Sequence, residues 1–291
     1  MSKIYWDKIR FLVANICNYQ CRFCHNEGQS KEIPSHQFMP YADIKILIDY
    51  IKDQGISELC FSGGEPFFFF FLVRMIRYAD ENTECDISCA TNLSLITDSQ
   101  IKELSSTRVK LNIQFPFANK TEFRDSTGTG NYKEIEKAIK KVQDASISIG
   151  LNTVIQTPDL TKLMPVITFA LENDLPLKLL PQIGLSGSDR FKDDVFPVLQ
   201  MMSSERIDKG TGAIRYTLKS NNHKISVLYI DSPCFTKDIR RCKTYGEVRI
   251  LPNMSLQPCI LKRNGPTLAL ENGKEFVLNQ FCELWKNFNR C

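Results

Sequence analysis

Between residues 10 and 180, strand-like apolar runs alternate with stretches whose apolar residues recur at helical spacing, joined by short links. Runs 10–14, 56–62, 86–91, 109–115, 147–155 and 177–180 read as strands. Stretches 41–54, 68–80, 98–105, 131–144 and 161–173 read as helices. Ile44, Leu47, Ile48 and Ile51 fall on one face of the first helix, and Gly55 stops it. Asp98 is the expected cap of the third helix, and Pro165 sits in the first turn of the last, where it is tolerated. Six strand–helix alternations with short links demand a parallel sheet with right-handed crossovers. Chemistry in such sheets collects at the C-terminal ends of the strands.

Three sequence features fall at those ends. After the first strand comes Cys17-Asn18-Tyr19-Gln20-Cys21-Arg22-Phe23-Cys24-His25. After the second comes Gly63-Gly64-Glu65-Pro66, and the third ends in Thr91-Asn92. Three thiolates on one short loop can hold three irons of a cubane and leave the fourth open. A zinc knuckle completed by His25 is the alternative for the cysteines, but it would not explain the glycine turn. Glycines let backbone approach a ligand closely, and Glu65 offers a carboxylate to an ammonium.

All eleven cysteines of the 291 residues fall within 17–89 or 234–291. Residues 1–7 lack the apolar core of a signal peptide, so a cytoplasmic protein with reduced thiols is expected. No window approaches eighteen uninterrupted apolar residues, so no membrane span is expected. A net charge of +4 gives no argument for nucleic acid. Beyond residue 180 the alternation stops. Residues 184–188 read as a Gly/Ser turn region, 193–208 as a helix, and 214–218 with 224–230 as a hairpin around Asn221-Asn222. The expected division is therefore 1–185 and 186–291. In the second part a cysteine, a strand, a Pro252-Asn253 turn, a second strand and Pro258-Cys259 follow one another, which brings Cys242 and Cys259 together. Free thiols or a zinc ribbon are the alternatives there.

The cysteine triplet with its Gly-Gly-Glu-Pro turn resembles the radical S-adenosylmethionine (SAM) superfamily. That resemblance implies an α/β fold, a partial (β/α)6 open barrel of parallel strands. It implies a [4Fe–4S] cluster on Cys17, Cys21 and Cys24, with SAM on the open iron. One electron would split SAM to methionine and a 5′-deoxyadenosyl radical that takes hydrogen from substrate. Gly63, Gly64, Glu65 and Pro66 would bind SAM, with Asn92, Gln114 and Asn152 at its carboxylate or ribose and Tyr19 or Phe23 near the adenine. The C-terminal stretch resembles the Twitch/SPASM appendage, a small β-hairpin/helix domain holding an auxiliary [4Fe–4S] cluster. Glu283 to Asn287 are similar to its closing helix. Its ligands would come from Cys234, Cys242, Cys259, Cys282 and Cys291, of which at most four can serve.

Residues 9–180 also resemble the GTP 3′,8-cyclase family of molybdenum-cofactor synthesis, at Cys24 to Gly28, Phe61 to Pro66, Phe123 to Gly128 and Leu151 to Val154. That family holds a triphosphate with basic residues, where this chain has Glu58 and Cys60 before the glycine turn and Glu247 with Arg249 on the hairpin. Arg10 is retained. A glutamate facing a triphosphate repels it, so a GTP cyclase is not expected. The reading is an enzyme that abstracts hydrogen from a peptide or small-molecule natural product, served by an electron donor such as flavodoxin or ferredoxin. Should the reaction be a redox-neutral epimerisation, Cys60, Cys85 and Cys89 are the thiols to return hydrogen. A non-enzymatic iron–sulfur or zinc protein is the remaining alternative, and Glu65 beside two glycines argues against it.

Overall fold

The computed structural model describes residues 3–25, 38–220, 222–262 and 265–290. The chain runs β1 (Lys8–Ala14), α1 (Tyr41–Ile51), β2 (Glu58–Gly63), α2 (Leu72–Asn82), β3 (Asp86–Thr91), α3 (Asp98–Leu104) and β4 (Lys110–Gln114). It continues α4 (Lys120–Thr127), α5 (Tyr132–Asp144), β5 (Ser148–Ile155), α6 (Leu160–Glu172), β6 (Leu177–Pro181), α7 (Phe191–Met202), β7 (Ser203–Asp208), β8 (Ala213–Ser220) and β9 (His223–Ile230). Then come α8 (Pro233–Thr236), α9 (Ile239–Tyr245), β10 (Glu247–Ile250), β11 (Leu256–Gln257) and α10 (Lys274–Asn287).

Strands β1 to β6 lie side by side in chain order and pair in parallel. This is the expected open barrel. The sheet then runs on without a break past residue 185. Strand β9 pairs in parallel with β6, and β10 pairs in parallel with β1. The later third of the chain therefore satisfies the backbone of both barrel edges, which would otherwise be open pairing templates. Among the described residues all eleven strands form one sheet, with β11 and β7 outermost.

Alternation along each strand sorts the side chains. Ile9, Phe11, Leu59, Phe61, Leu111 and Ile113 are fully buried in the main hydrophobic cluster, together with the apolar faces of α1, α2 and α5. Phe11 stacks on Phe61 at 5.5 Å. The alternate positions are polar: Arg10, Ser62, Asn112, Gln114, Asn152, Glu247 and Arg249. Strands that alternate this way line an interior surface rather than a core.

The structure moves three expected elements. The third helix is capped by Thr97, not Asp98: Thr97 accepts from the Gln100 N–H, and Gln100 reaches back to the Thr97 N–H. The second helix starts at Leu72 because Glu65 caps a short 3-10 turn, Pro66–Phe68, and Phe69 is extended. The stretch 193–208 is a helix only to Met202. Beyond it Ser203–Asp208 is exposed strand, paired antiparallel with β8. The hairpin of β8 and β9 forms as expected, with Asn221 outside the described residues. Helix α10 closes on the first residues: the Trp6 indole donates to the Phe281 carbonyl at 3.2 Å and meets Trp285 edge-on at 4.8 Å. Among the described residues no helix is long and apolar enough to cross a membrane.

Candidate functional site

The cysteine loop hangs from the end of β1 and is tied down on three sides. The Gly64 and Glu65 N–H groups donate to Ala14 and Ile16 carbonyls at 2.8 and 2.7 Å. The Gln20 and Arg22 N–H groups donate to Thr127 and Ser126 carbonyls at 2.9 and 3.0 Å, and the Thr129 hydroxyl donates to the Asn18 carbonyl at 2.6 Å. Asn18 donates to Ser94 and accepts from Asn92. The end of α4 thus clasps the loop, which explains the 123–128 motif that the sequence presents without a role.

The glycine turn works differently from the expectation. A Cβ on Gly63 would lie 2.4 Å from the Ala14 carbonyl oxygen, and one on Gly64 would lie 2.2 Å from that of Ile16. These glycines let the turn lie against the root of the cysteine loop. Glu65 faces the protein interior. Its carboxylate is fully buried and does not border the cavity. It accepts from Phe67 N–H at 3.1 Å, the Thr91 hydroxyl at 2.6 Å and Asn92 N–H at 2.7 Å. Burial pushes its carboxyl up to about 7 against the pull of those donors. In this arrangement it holds the end of β3.

A cavity of about 400 Å³ opens at the strand ends. Cys17, Cys21 and Cys24 line it, with Tyr19, Phe23, His25, Gly63, Gly64 and Asn92. Pro66 is buried beside the turn. Burial, then Glu65 and Cys24, push Cys17 up to about 11 against the Tyr19 and Asn92 donors; burial, then Cys24 and Cys17, push Cys21 up to about 12. Metal must therefore displace protons to bind here. Gln114 and Asn152 border the same space, and Gln114 Nε2 and Asn152 Oδ1 are buried without a hydrogen-bond partner among the described residues. Buried polar atoms are seldom left so; both suit a polar ligand. Among the described residues no three His, Cys, Asp or Glu side chains are arranged around a single metal ion. A cubane is larger and takes its thiolates one per iron. The thiol donor set and the two unpaired amide atoms fit a cluster with a polar ligand beside it.

Cys234, Cys242 and Cys259 line the same cavity, from α8, α9 and the segment after β11. Cys242 and Cys259, at the two ends of the hairpin, thus border the same space, as does Cys234 of α8. Cys282 is elsewhere. It lies on the buried face of α10 with Phe281, and its thiol donates to the Lys3 carbonyl at 3.1 Å. It does not border the cavity. Cys291 lies outside the described residues. Cys60, Cys85 and Cys89 are all buried and none borders the cavity. Cys85 donates to the Ile56 carbonyl at 3.2 Å, Cys89 joins the main cluster beneath the helices, and Cys60 lies one inward position below Ser62.

The sequence reading set Glu247, Arg249 and Arg10 where the cyclase family holds its triphosphate, but did not pair them with one another. All three line the cavity. Arg10 grips Glu247 with two bonds, Nε to Oε1 at 3.1 Å and Nη2 to Oε2 at 2.9 Å, and Arg249 Nε donates to Oε1 at 3.3 Å. Burial alone would raise the Glu247 carboxyl, but Arg10, Arg249 and Lys8 overcome it and hold it at about 2. Glu58 turns to Ser88 at 2.6 Å and Lys8 at 3.5 Å. Polar residues at alternate positions of apolar strands are the signal that marks this layer in the sequence.

The profile of the Radical SAM superfamily matches residues 11–161. Among curated proteins, GTP 3′,8-cyclase of Clostridium perfringens is 22% identical over 281 residues, covering 92% of this chain and 85% of that protein. A probable GTP 3′,8-cyclase of Sulfurisphaera tokodaii is 25% identical over 209 residues, 70% of this chain and 65% of that protein. Among solved structures, Streptococcus suis SuiB bound to S-adenosylmethionine superposes with a TM-score of 0.70 at 14% identity over 91% of this chain. The chain spans 63% of that protein's length. Native anSMEcpe with bound AdoMet gives 0.65 at 15% identity, covering 98% of this chain and 84% of that one. At such identities the structural likenesses speak to fold alone.

Proposed function

The chain belongs to the radical SAM superfamily and is an enzyme, and we propose that it takes hydrogen from a peptide or small-molecule natural product with a second [4Fe–4S] cluster facing the same cavity. The observation that carries this reading is the placement of two thiol trios, Cys17, Cys21, Cys24 and Cys234, Cys242, Cys259, around one space. When bound, the first cluster and SAM supply the 5′-deoxyadenosyl radical. The chain's own work is to hold and enclose. The cysteine loop is fixed by its bonds to the ends of β2, β3 and α4. Gln114 and Asn152 offer amide atoms to SAM, and Tyr19 and Phe23 offer aromatic walls that keep water out. The thiols of Cys234, Cys242 and Cys259 would hold the second cluster, which suits a reaction that passes an electron on or binds substrate directly. A flavodoxin or ferredoxin would deliver the first electron. SuiB bound to the precursor peptide SuiA shares the fold over 96% of this chain, which supports a peptide as substrate.

The cyclase relatives favour GTP as a second reading. Glu247 argues against it. It engages Arg10 and Arg249 with its carboxylate inside the cavity, where a triphosphate would need them. Reconstituted protein, dithionite and SAM, mixed with a deuterated extract of peptides and metabolites, tests the proposal. Deuterium in the recovered 5′-deoxyadenosine is the expected result. Deuterium arising only when deuterated GTP is added would refute it in favour of the cyclase.

A further inference from the structure

The side chain of Asn92 is expected at SAM, yet the structure commits it to the cysteine loop. The Ser94 N–H donates to Asn92 Oδ1 at 2.9 Å, and the Ser94 hydroxyl donates to the same oxygen at 2.7 Å. A main-chain N–H can only donate, so the amide oxygen must face Ser94. The amide NH₂ must then face the other way, toward Asn18 Oδ1 at 2.9 Å and Cys17 Sγ at 3.7 Å. The orientation is fixed by the backbone and needs no choice between oxygen and nitrogen. The backbone of the same residue is held by Glu65, whose Oε2 accepts from Asn92 N–H at 2.7 Å. Asn92 is 6% exposed. The Tyr19 N–H gives Cys17 Sγ a second donor at 3.3 Å.

We propose that Asn92 is a positioning residue that raises the reduction potential of the cluster on Cys17, Cys21 and Cys24 by donating an N–H···S hydrogen bond to Cys17. One-electron reduction adds negative charge to the cluster and its thiolates, and a donor aimed at a thiolate stabilises that charge. Cys17 receives two such donors, from the Tyr19 N–H and the Asn92 amide. Glu65 then acts at one remove: by holding Thr91 and Asn92 it aims the amide. This gives the glutamate beside the two glycines a reason to be buried.

The test is the midpoint potential of the SAM-free cluster in anaerobically reconstituted protein, followed by EPR through a redox titration. Asn92→Ala should shift it to lower potential, while SAM affinity by equilibrium dialysis stays within about twofold of the parent. An unchanged potential with a tenfold or greater loss of SAM affinity would overturn the proposal and return Asn92 to the SAM site. Should Asn92→Ala fail to take up iron, Asn18→Ala keeps the amide but removes the acceptor that steadies it. A smaller shift in the same direction is expected, and an unchanged potential in that variant also overturns the proposal. Iron content reads cluster formation separately, so loss of the cluster is distinguishable from loss of the bond.

Discussion

Replacing Glu247 by Gln keeps the shape and removes the charge. In the parent its carboxylate takes three hydrogen bonds from Arg10 and Arg249, at 3.1, 2.9 and 3.3 Å, and its side chain is 9% exposed. Removing one partner of a buried ion pair costs about 3–5 kcal/mol. The carboxyl pKa gives a second route to the size. It falls from 4.5 to about 2 on folding, and at about 1.4 kcal/mol per unit that is about 3 kcal/mol. Glutamine keeps one oxygen acceptor, so the lower figure applies. For a chain of this size about 2 °C accompanies each kcal/mol, so melting should fall by roughly 6 °C. The same change removes the negative charge from the cavity layer that holds Arg10 and Arg249. Tripolyphosphate, followed by calorimetric titration and by melting temperature, should bind E247Q at least about tenfold more tightly than the parent and recover much of the lost stability. A variant that melts with the parent and still ignores tripolyphosphate would refute the reasoning, because Glu247 would then be neither the counterion nor the barrier to polyanions.

Acid should find the same pair. A depressed carboxyl pKa contributes stability that is fully present above 4.5 and is lost as pH falls toward about 2. The parent should therefore lose about 3 kcal/mol more than E247Q between those limits in denaturant titrations; parallel losses would contradict it. Gly64→Ala puts a Cβ 2.2 Å from the Ile16 carbonyl oxygen, and iron uptake at the first site should fall severalfold, whereas a parent-like iron content would deny the close approach. Cys282→Ser should leave iron content unchanged because its thiol donates to Lys3. Cys234→Ser and Cys259→Ser should each lower it by up to about four irons, the content of one cubane. Iron loss in Cys282→Ser would restore that residue as a ligand.

The sheet and the cysteine loop were legible in the sequence because both are local. Each of β1 to β6 announces itself by its own apolar run, and each capping or stopping residue acts within one turn. The cap of the third helix lies one residue before Asp98, and the seventh helix ends six residues before Asp208, because adjacent polar residues offer equivalent starts and stops. What stayed hidden is long-range. Arg10 meets Glu247 across 237 positions because β10 pairs with β1, and no local pattern says which barrel edge a late strand will join. Glu65 reads as a ligand residue because a carboxylate beside two glycines looks exposed. Only the folded turn shows Thr91 and Asn92 closing over it. Cys282 resembles a ligand by residue type, yet its place on the buried face of α10 decides otherwise.

The two-trio account stands or falls on iron per chain after anaerobic reconstitution, measured beside the Cys17/Cys21/Cys24→Ala triple variant. Two cubanes predict about eight irons in the parent and about four in the variant. About four falling to none would contradict the account, leaving Cys234, Cys242 and Cys259 as cavity-lining thiols without a cluster.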